Sequence, residues 1–204
     1  VYNAIKKTKE SLTKNKSLIA FVGAPWTLLI YLYNLKEPNN LNSKIKIKNK
    51  TEIKLVLKKL DEFLKLHIIH QIEAGADIVQ IFDSWAGLIE QEDLEDYCFN
   101  PNMSLVNFCK ENKIPSICFP KGLKNNYKKF IEKVKPNAIS IDQEIDPLWA
   151  KKNLNDICIQ GGMDPKLLLK NEALVLDETD RYLEIFKNNP YIFNLGHGIL
   201  PETN

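Results

Sequence analysis

The sequence predicts an α/β fold whose strands run parallel in one sheet. Short runs of almost continuously apolar residues recur along the 204-residue chain, which is typical of strands that are buried on both faces. Longer segments between these runs carry apolar residues at helical spacing. Strands that alternate with helices in this way are joined by right-handed crossovers, so the strands lie parallel.

Six apolar runs are predicted to be strands, because each is too short for a helix. They cover residues 18–22, 78–82, 117–119, 138–141, 157–159 and 191–193. Five segments are predicted to be helices, at 52–73, 102–112, 126–135, 165–171 and 177–187. At the fourth, Asp164 followed by Pro165 marks a helix start, since aspartate caps helices and proline suits their first position.

The uncharged stretch from residue 17 to residue 35 is almost long enough to cross a membrane. Gly23, Ala24 and Pro25 interrupt it, and a proline there would remove a helix hydrogen bond. The pattern therefore predicts a buried strand, a tight turn and a helix that begins at Pro25, rather than a membrane-spanning helix.

Composition excludes several classes of protein. A balance of 28 Lys+Arg against 26 Asp+Glu gives a net charge of +2, too even for a module that binds nucleic acid. A hydrophobic fraction of 44% excludes disorder as the main state. The length suits one large domain or two small ones, and we expect a single domain over 1–204. The four cysteines form no C-x-x-C pair and no signal peptide precedes them. They are therefore predicted to be reduced thiols in the cytoplasm.

Six parallel strands fit either an open doubly wound sheet or most of a (β/α)8 barrel, which usually has about 250 residues. In both architectures the functional residues follow the carboxyl ends of the strands. Three polar residues at such positions are candidates for ligand binding. Residues 23–26 follow the first strand and Tyr31 lies one helical turn beyond them; Ser84 follows the second strand, and His197 follows the sixth, between Gly196 and Gly198. The glycine spacing predicts a close approach of backbone to a ligand at His197.

Several of these polar residues also have simpler structural interpretations. Ser84 also suits a helix-capping position, and Tyr31 suits a half-buried helix position. One predicted helix carries His67, His70 and Glu73, spaced by three residues, which could place metal ligands on one face. No fourth ligand is nearby in sequence, so no metal site is predicted. The alternating lysines of residues 44–50 predict a solvated loop, with guidance of an acidic ligand as the alternative.

Four segments that follow predicted strands resemble motifs of the uroporphyrinogen decarboxylase family. Residues 23–28 with Tyr31 resemble its G-A-P-[WF]-T-L motif and tyrosine, and residues 80–87 resemble Q-[IL]-F-[DE]-S-x-[AG]-G. Residues 160–165 resemble Q-G-N-[LM]-D-P, and residues 194–201 resemble N-L-G-H-G-[IVL]-x-P. Each motif alone is a moderate signal, but all four occur in the family's order and span most of the chain.

The resemblance implies a (β/α)8 barrel that needs no cofactor or metal and is usually a cytosolic homodimer. It implies an enzyme that removes the carboxyl groups of four acetate side chains of uroporphyrinogen III, a tetrapyrrole, to give coproporphyrinogen III in haem biosynthesis. It also implies three substrate-binding residues. Tyr31 would hydrogen-bond near the reacting centre, while Ser84 and His197 would hold substrate carboxylates.

Two parts of the family pattern have no counterpart in this sequence. One is the R-Q-A-G-R segment, whose arginines bind substrate carboxylates and include a proposed general acid; the other is the S-D-I-[LM] aspartate, which contacts the pyrrole N–H groups. Arg181, the single arginine, matches neither site. We therefore expect the six strands to be the third to eighth of an incomplete barrel, short of its final helix, with the catalytic arginine and aspartate upstream of Val1. These 204 residues alone are expected to be inactive.

Two alternative functions stay open at this point. One is a corrinoid-dependent, zinc-containing methyltransferase of the same barrel superfamily, which needs a His-x-Cys motif that this sequence lacks. The other is a non-catalytic chain that binds a tetrapyrrole, an alternative favoured by the missing arginine and aspartate.

Overall fold

The computed structural model describes residues 1–33 and 49–203. The alternating lysines predicted to form a loop at 44–50 lie outside the described residues except for Lys50, which begins a helix. The predicted interruption of the uncharged N-terminal stretch is confirmed, since a strand ends at Gly23 and a helix begins at Pro25. No helix within the described ranges combines the length and apolarity needed to cross a bilayer.

All six predicted strands are present and parallel, and they occur in the sheet in the order in which they occur in the chain. They are β1 Ile19–Gly23, β2 Ile78–Asp83, β3 Ser116–Pro120, β4 Ala138–Ile141, β5 Cys158–Gly161 and β6 Tyr191–Ile192. A doubly wound sheet reverses direction at a switch point, so its strand order is not consecutive. The consecutive order is that of a (β/α)8 barrel, and the described residues supply six of its strands.

Seven α-helices occur among the described residues, and most lie between consecutive strands. They are α1 Tyr2–Ser11, α2 Pro25–Leu32, α3 Lys50–Glu73, α4 Asn100–Glu111, α5 Tyr127–Val134, α6 Pro147–Asn153 and α7 Glu172–Phe186. The predicted helices at 52–73, 102–112 and 126–135 are confirmed as α3, α4 and α5 within two residues at each end.

Two helices were not predicted from the sequence. Helix α1 buries none of its residues, so it has no apolar stripe to reveal it; the Lys9 ammonium instead binds the Asp77 carboxylate at 2.6 Å. Helix α6 has the same start signal as the one recognised at residues 164–165, because Asp146 accepts a hydrogen bond from the Leu148 N–H and Pro147 takes the first position. Its seven residues are too few for a periodic pattern.

Two predicted helix boundaries were wrong. The segment predicted as a helix at 165–171 is a 3-10 helix, Pro165–Leu169, although Asp164 does cap it through the Lys166 N–H. The following helix begins at Glu172 rather than at residue 177, because Asn171 accepts a hydrogen bond from the Leu174 N–H and starts the helix earlier.

The sheet has one face covered by helices and one face that is partly open. Val22 and Ile81 pair in register and are buried against the helices in the main apolar core. On the opposite face, the rings of Phe21, Phe82 and Phe119 form a row of edge-to-face contacts at 5.8 and 5.9 Å between centroids. Phe21, on the edge strand β1, is 68% exposed, so this row is buried only toward the middle of the sheet.

Buried polar side chains cross the same face beside this row. The Gln160 Nε2 group donates to Gln80 Oε1 at 3.1 Å and to Ser140 Oγ at 3.4 Å. All three side chains are buried. Because a buried polar group needs a partner to offset its lost hydration, these bonds fix the relative positions of β2, β4 and β5.

Candidate active site

The loops that follow β2, β3 and β4 are joined by backbone hydrogen bonds at the carboxyl edge of the sheet. The Lys121 N–H donates to the Asp83 carbonyl at 3.2 Å, and the Gly87 N–H donates to the Lys121 carbonyl at 2.9 Å. The Gly122 N–H donates to Asp142 Oδ2 at 2.8 Å. Three separate loops therefore form one surface.

A cleft of about 790 Å³ lies on this surface. The loops after β2 and β3 form most of its walls, and Glu144, from the loop after β4, completes them. Its polar and charged lining residues are Ser84, Gln91, Lys121, Lys124, Asn125, Asn126 and Glu144. A cleft of this size with converging polar groups is the usual form of a small-molecule site.

Ser84 lies in the wall of this cleft and is half-buried. The expectation that it caps the following helix is wrong, because Trp85 takes the N-cap position of the short 3-10 turn and makes no side-chain cap there. Within residues 1–33 and 49–203, no group hydrogen-bonds the Ser84 hydroxyl. That hydroxyl is therefore available to a ligand.

Tyr31 lies beside the same cleft, on α2. Its ring packs edge-on against the Trp85 ring at 6.4 Å between centroids, while 54% of the residue stays exposed. Trp26, on the buried face of α2, donates from Nε1 to the Trp85 carbonyl at 3.0 Å. Helix α2 and the loop after β2 are thus held together, and Tyr31 packs against Trp85, the residue that follows Ser84.

His197 lies at the same edge of the sheet but does not line the cleft. It is exposed, and its Nδ1 atom lies 3.2 Å from the Gly198 carbonyl oxygen. Of the two flanking glycines, Gly196 packs against the loop after β4, since a Cβ there would lie 2.3 Å from the Gln143 nitrogen, whereas a Cβ at Gly198 would meet nothing within 4 Å. The approach of a ligand to the backbone at His197 stays a prediction. The structure thus places Ser84 in the cleft wall and Tyr31 against the neighbouring Trp85, while His197 lies farther along the same edge of the sheet, after β6.

A buried carboxylate supports the Ser84 loop from below. Asp83 is fully buried; it accepts hydrogen bonds from Thr27 Oγ1 and Asn102 Nδ2, both at 2.9 Å. The Trp85 N–H in turn donates to Thr27 Oγ1 at 3.3 Å. Burial raises the pKa of Asp83 to about 6, and the bonds from Thr27 and Asn102 oppose that rise. Asp83 faces the helices, so it positions the loop rather than a ligand.

Asp142 performs a similar task for the neighbouring loops. Its carboxylate accepts bonds from the Gly122 N–H, the Tyr127 hydroxyl and the Glu144 N–H, at 2.8, 3.1 and 3.0 Å. Burial, followed by the Asp142 charge, raises the pKa of the Tyr127 hydroxyl well above its usual range. The sequence shows that Asp142 follows the fourth strand, but no local pattern indicates that its carboxylate binds internal hydrogen-bond donors rather than a ligand.

Two other groups considered from the sequence lie away from the cleft. The His67 ring hydrogen-bonds with the Tyr2 hydroxyl at Nδ1 and with the Gln71 amide at Nε2, both at 2.7 Å. Both ring nitrogens are therefore occupied by contacts with α1 and within α3. No set of three His, Cys, Asp or Glu side chains in the described part of the chain could hold a metal ion. The pair Gly161 and Gly162, in the motif at residues 160–165, packs tightly on Leu195, Ile141 and Tyr182.

The whole chain, residues 1–204, matches the family model described as uroporphyrinogen decarboxylase (URO-D). The chain belongs to the uroporphyrinogen decarboxylase family. The resemblance inferred from four motifs is therefore confirmed. Three of those motifs follow β1, β2 and β6, and they carry Tyr31 on α2 and Ser84 and His197 in loops.

Curated relatives named uroporphyrinogen decarboxylase align with the full length of this chain. The protein of Rickettsia bellii is 38% identical over 207 residues, which cover all of this chain and 61% of the relative. The protein of Wolbachia pipientis wMel is 38% identical over 205 residues, with 100% and 60% of the two chains covered. The chain thus spans about 60% of the length of the curated relatives that it matches.

Solved structures of more distant sequence share the fold. A methyltransferase from Methanosarcina mazei superimposes with a TM-score of 0.81 at 18% identity, covering 100% of this chain and 59% of that one. A B12-independent methionine synthase from Shewanella sp. W3-18-1 gives a TM-score of 0.66 at 14% identity, with 98% and 60% covered. At these identities the structural similarity concerns the fold alone. Together with the consecutive strand order, it confirms the prediction of an incomplete (β/α)8 barrel.

Proposed function

We propose that the intact gene product containing this chain is a uroporphyrinogen decarboxylase. It is a carboxy-lyase that converts uroporphyrinogen III to coproporphyrinogen III, a step of haem biosynthesis, by removing four acetate carboxyl groups. The observation that carries this proposal is the family match along all 204 residues. The position of the family motifs at one edge of the sheet, beside a cleft with free polar side chains, supports it.

In this proposal Tyr31, Ser84 and His197 bind the substrate. Ser84 donates its hydroxyl to a substrate carboxylate in the cleft, which its lack of a partner within the described residues favours. Tyr31, whose ring packs edge-on against Trp85, hydrogen-bonds near the reacting centre. His197, exposed at the far part of the rim, binds a carboxylate on another side of the same macrocycle. A tetrapyrrole with carboxylates around its circumference suits donors that are spread along a rim.

The chemistry explains why such donors suffice on this part of the protein. Loss of CO₂ from an acetate arm leaves an electron pair, which a pyrrole protonated at a ring carbon accepts; a proton then converts the former methylene into a methyl group. The substrate thus provides its own electron sink, and the reaction is proposed to need no cofactor or metal. The protein supplies oriented hydrogen bonds and charges around the macrocycle. The family's arginine pair and aspartate, which act on the ring, have no match among these 204 residues.

The cellular setting follows from the same proposal. The intact product acts in the cytoplasm as a homodimer, as members of the family usually do. The four cysteines, Cys98, Cys109, Cys118 and Cys158, are free thiols, which is compatible with a reducing compartment.

The direct test is to supply uroporphyrinogen III to the purified intact gene product under anaerobic conditions. Chromatographic separation of the oxidised porphyrins should show intermediates with seven, six and five carboxyl groups and then coproporphyrin. If uroporphyrinogen is recovered unchanged while the protein is folded, the proposal is wrong.

A methyltransferase of the same architecture is the second candidate, since a methyltransferase from Methanosarcina mazei shares the fold at a TM-score of 0.81. The four uroporphyrinogen decarboxylase motifs in the sequence do not favour this function. Metal analysis separates the two functions: the proposed decarboxylase retains full activity after exhaustive chelation, whereas stoichiometric zinc in the purified protein would favour the methyltransferase. A non-catalytic chain would bind uroporphyrin without any turnover of uroporphyrinogen.

A further inference from the structure

Lys121 brings a positive charge into the wall of the cleft. It follows β3 directly, in the sequence Pro120-Lys121-Gly122, and is half-buried. The other lysine of the cleft lining, Lys124, is exposed. None of the four family motifs includes Lys121, so sequence resemblance gives it no role.

The backbone of Lys121 is fixed on both sides. Its N–H donates to the Asp83 carbonyl at 3.2 Å, and its carbonyl accepts from the Gly87 N–H at 2.9 Å. The next residue, Gly122, donates to the buried Asp142 carboxylate at 2.8 Å. A lysine side chain that starts from such a rigid base loses less entropy on binding a ligand than one on a free loop.

The Lys121 ammonium has no internal partner in the described ranges. It forms no ion pair there. The carboxylates whose charges act on it are those of Asp142 and Glu144. Asp142 cannot neutralise it well, because that carboxylate already accepts bonds from Gly122, Tyr127 and Glu144. Burial lowers the pKa of Lys121, and the two carboxylates oppose that change. A half-buried cation that forms no ion pair is stabilised by an anionic ligand.

We propose that Lys121 binds a carboxylate of the substrate inside the cleft, together with the Ser84 hydroxyl. This role rests on the proposed function, since it identifies the anion as one of the carboxylates of the tetrapyrrole. Lys121 then supplies positive charge from the loop after β3. That makes it a substrate-binding residue in addition to Tyr31, Ser84 and His197.

Steady-state kinetics of the intact gene product with uroporphyrinogen III test this role. Lys121→Met keeps the length of the side chain and removes its charge, and should raise KM about tenfold or more with little change in kcat, because the lost bond acts equally on bound substrate and transition state. Lys121→Arg should restore most of the affinity. The matched control is Lys128→Met, which removes an exposed charge on α5 outside the cleft and should leave KM unchanged.

A labelling experiment tests the same contact without a substitution. Reductive methylation of the wild-type protein, read by peptide mass spectrometry, should modify Lys121 several-fold more slowly when uroporphyrin is bound, while Lys128 reacts at the same rate. Equal reaction of Lys121 with and without uroporphyrin would overturn the inference, as would an unchanged KM in the folded Lys121→Met variant.

The two experiments also separate this inference from the proposed function. If the wild type forms no coproporphyrinogen but uroporphyrin still protects Lys121, the decarboxylase proposal fails while the carboxylate site stands. If the wild type turns over normally and Lys121 is neither protected nor needed for affinity, the decarboxylase stands and the role of Lys121 is wrong.

Discussion

The backbones of Gly87 and Gly122 pack directly on each other where the loops after β2 and β3 meet. A Cβ placed on Gly122 would lie 3.0 Å from the Gly87 Cα, and one placed on Gly87 would lie 3.2 Å from the Gly122 Cα. Gly122 has a φ of +81°, which L side chains rarely adopt. This contact lets the two loops form one cleft wall, with Ser84 on one side of the contact and Lys121 on the other.

Substitution of either glycine should therefore move the loops apart. Gly87→Ala should lower the free energy of unfolding by about 1–3 kcal/mol through crowding alone. Gly122→Ala should cost roughly 1 kcal/mol more, because it adds the strain of positive φ. Chemical denaturation measures both effects. Gly198→Ala is the control, since a Cβ there meets nothing within 4 Å; equal stability of all three variants would contradict the packing argument.

The close approach of Gly196 to the loop after β4 leads to a second prediction. A Cβ at Gly196 would lie 2.3 Å from the Gln143 nitrogen and 2.8 Å from the Asp142 carbonyl carbon, both backbone atoms that cannot turn aside. Gly196→Ala should displace the segment that carries His197 and raise KM for uroporphyrinogen about tenfold or more. Gly198→Ala, on the other side of His197, should leave KM close to the wild-type value. If Gly196→Ala also keeps a wild-type KM, the rim position of His197 has no part in binding.

The three proposed substrate-binding side chains should differ in their kinetic effects. Ser84→Ala and His197→Ala remove hydrogen bonds to substrate carboxylates and should raise KM about tenfold with a smaller effect on kcat. Tyr31→Phe removes only a hydroxyl near the reacting centre and should lower kcat instead. Full kinetic analysis of the intact gene product with uroporphyrinogen III measures these effects. A Tyr31→Phe variant with wild-type kcat would contradict the assigned position of Tyr31.

Asp83 should make stability depend on pH. Its pKa is raised to about 6 in the folded protein from an ordinary value of 3.8, so between these values the folded state binds more protons than the unfolded state. The free energy of unfolding should therefore fall as pH rises from about 4 to 6, by about 3 kcal/mol at most, and stay lower above pH 6.

Asp83→Asn should remove this contribution, although the lost acceptor facing Asn102 lowers stability overall. Urea denaturation at several pH values gives the comparison: the difference between wild type and Asp83→Asn should change between pH 4 and pH 6 and be constant above that range. Asp177→Asn, which alters an exposed carboxyl on α7, controls for general charge effects. Parallel curves for wild type and Asp83→Asn would show that burial does not shift the titration of Asp83.

Local patterns predicted the regular elements well where burial is periodic. The run at 78–82 became β2, and the amphipathic segment at 52–73 became α3, because a buried strand and a core-facing helix each leave a repeating apolar signature. Helix α1 escaped prediction because it buries no residue and is held by the Lys9–Asp77 contact across 68 positions of sequence. A bond between residues so far apart has no local pattern.

The sequence by itself determined the order of the six strands and of the helices that have an apolar stripe, and it determined the family. It also determined that Ser84 and His197 follow strands and that Tyr31 lies on the helix after β1, because each of these features depends on a short stretch of residues. Only the tertiary structure decided that Asp83 turns toward Thr27 and Asn102 and that Gly87 packs on Gly122. It also decided that Lys121 and Ser84 line one cleft while His197 lies outside it. The physical reason is that strand pairing and contacts between loops bring together residues that are distant in the chain. Burial then determines which polar groups hydrogen-bond inside the protein and which stay available to a ligand.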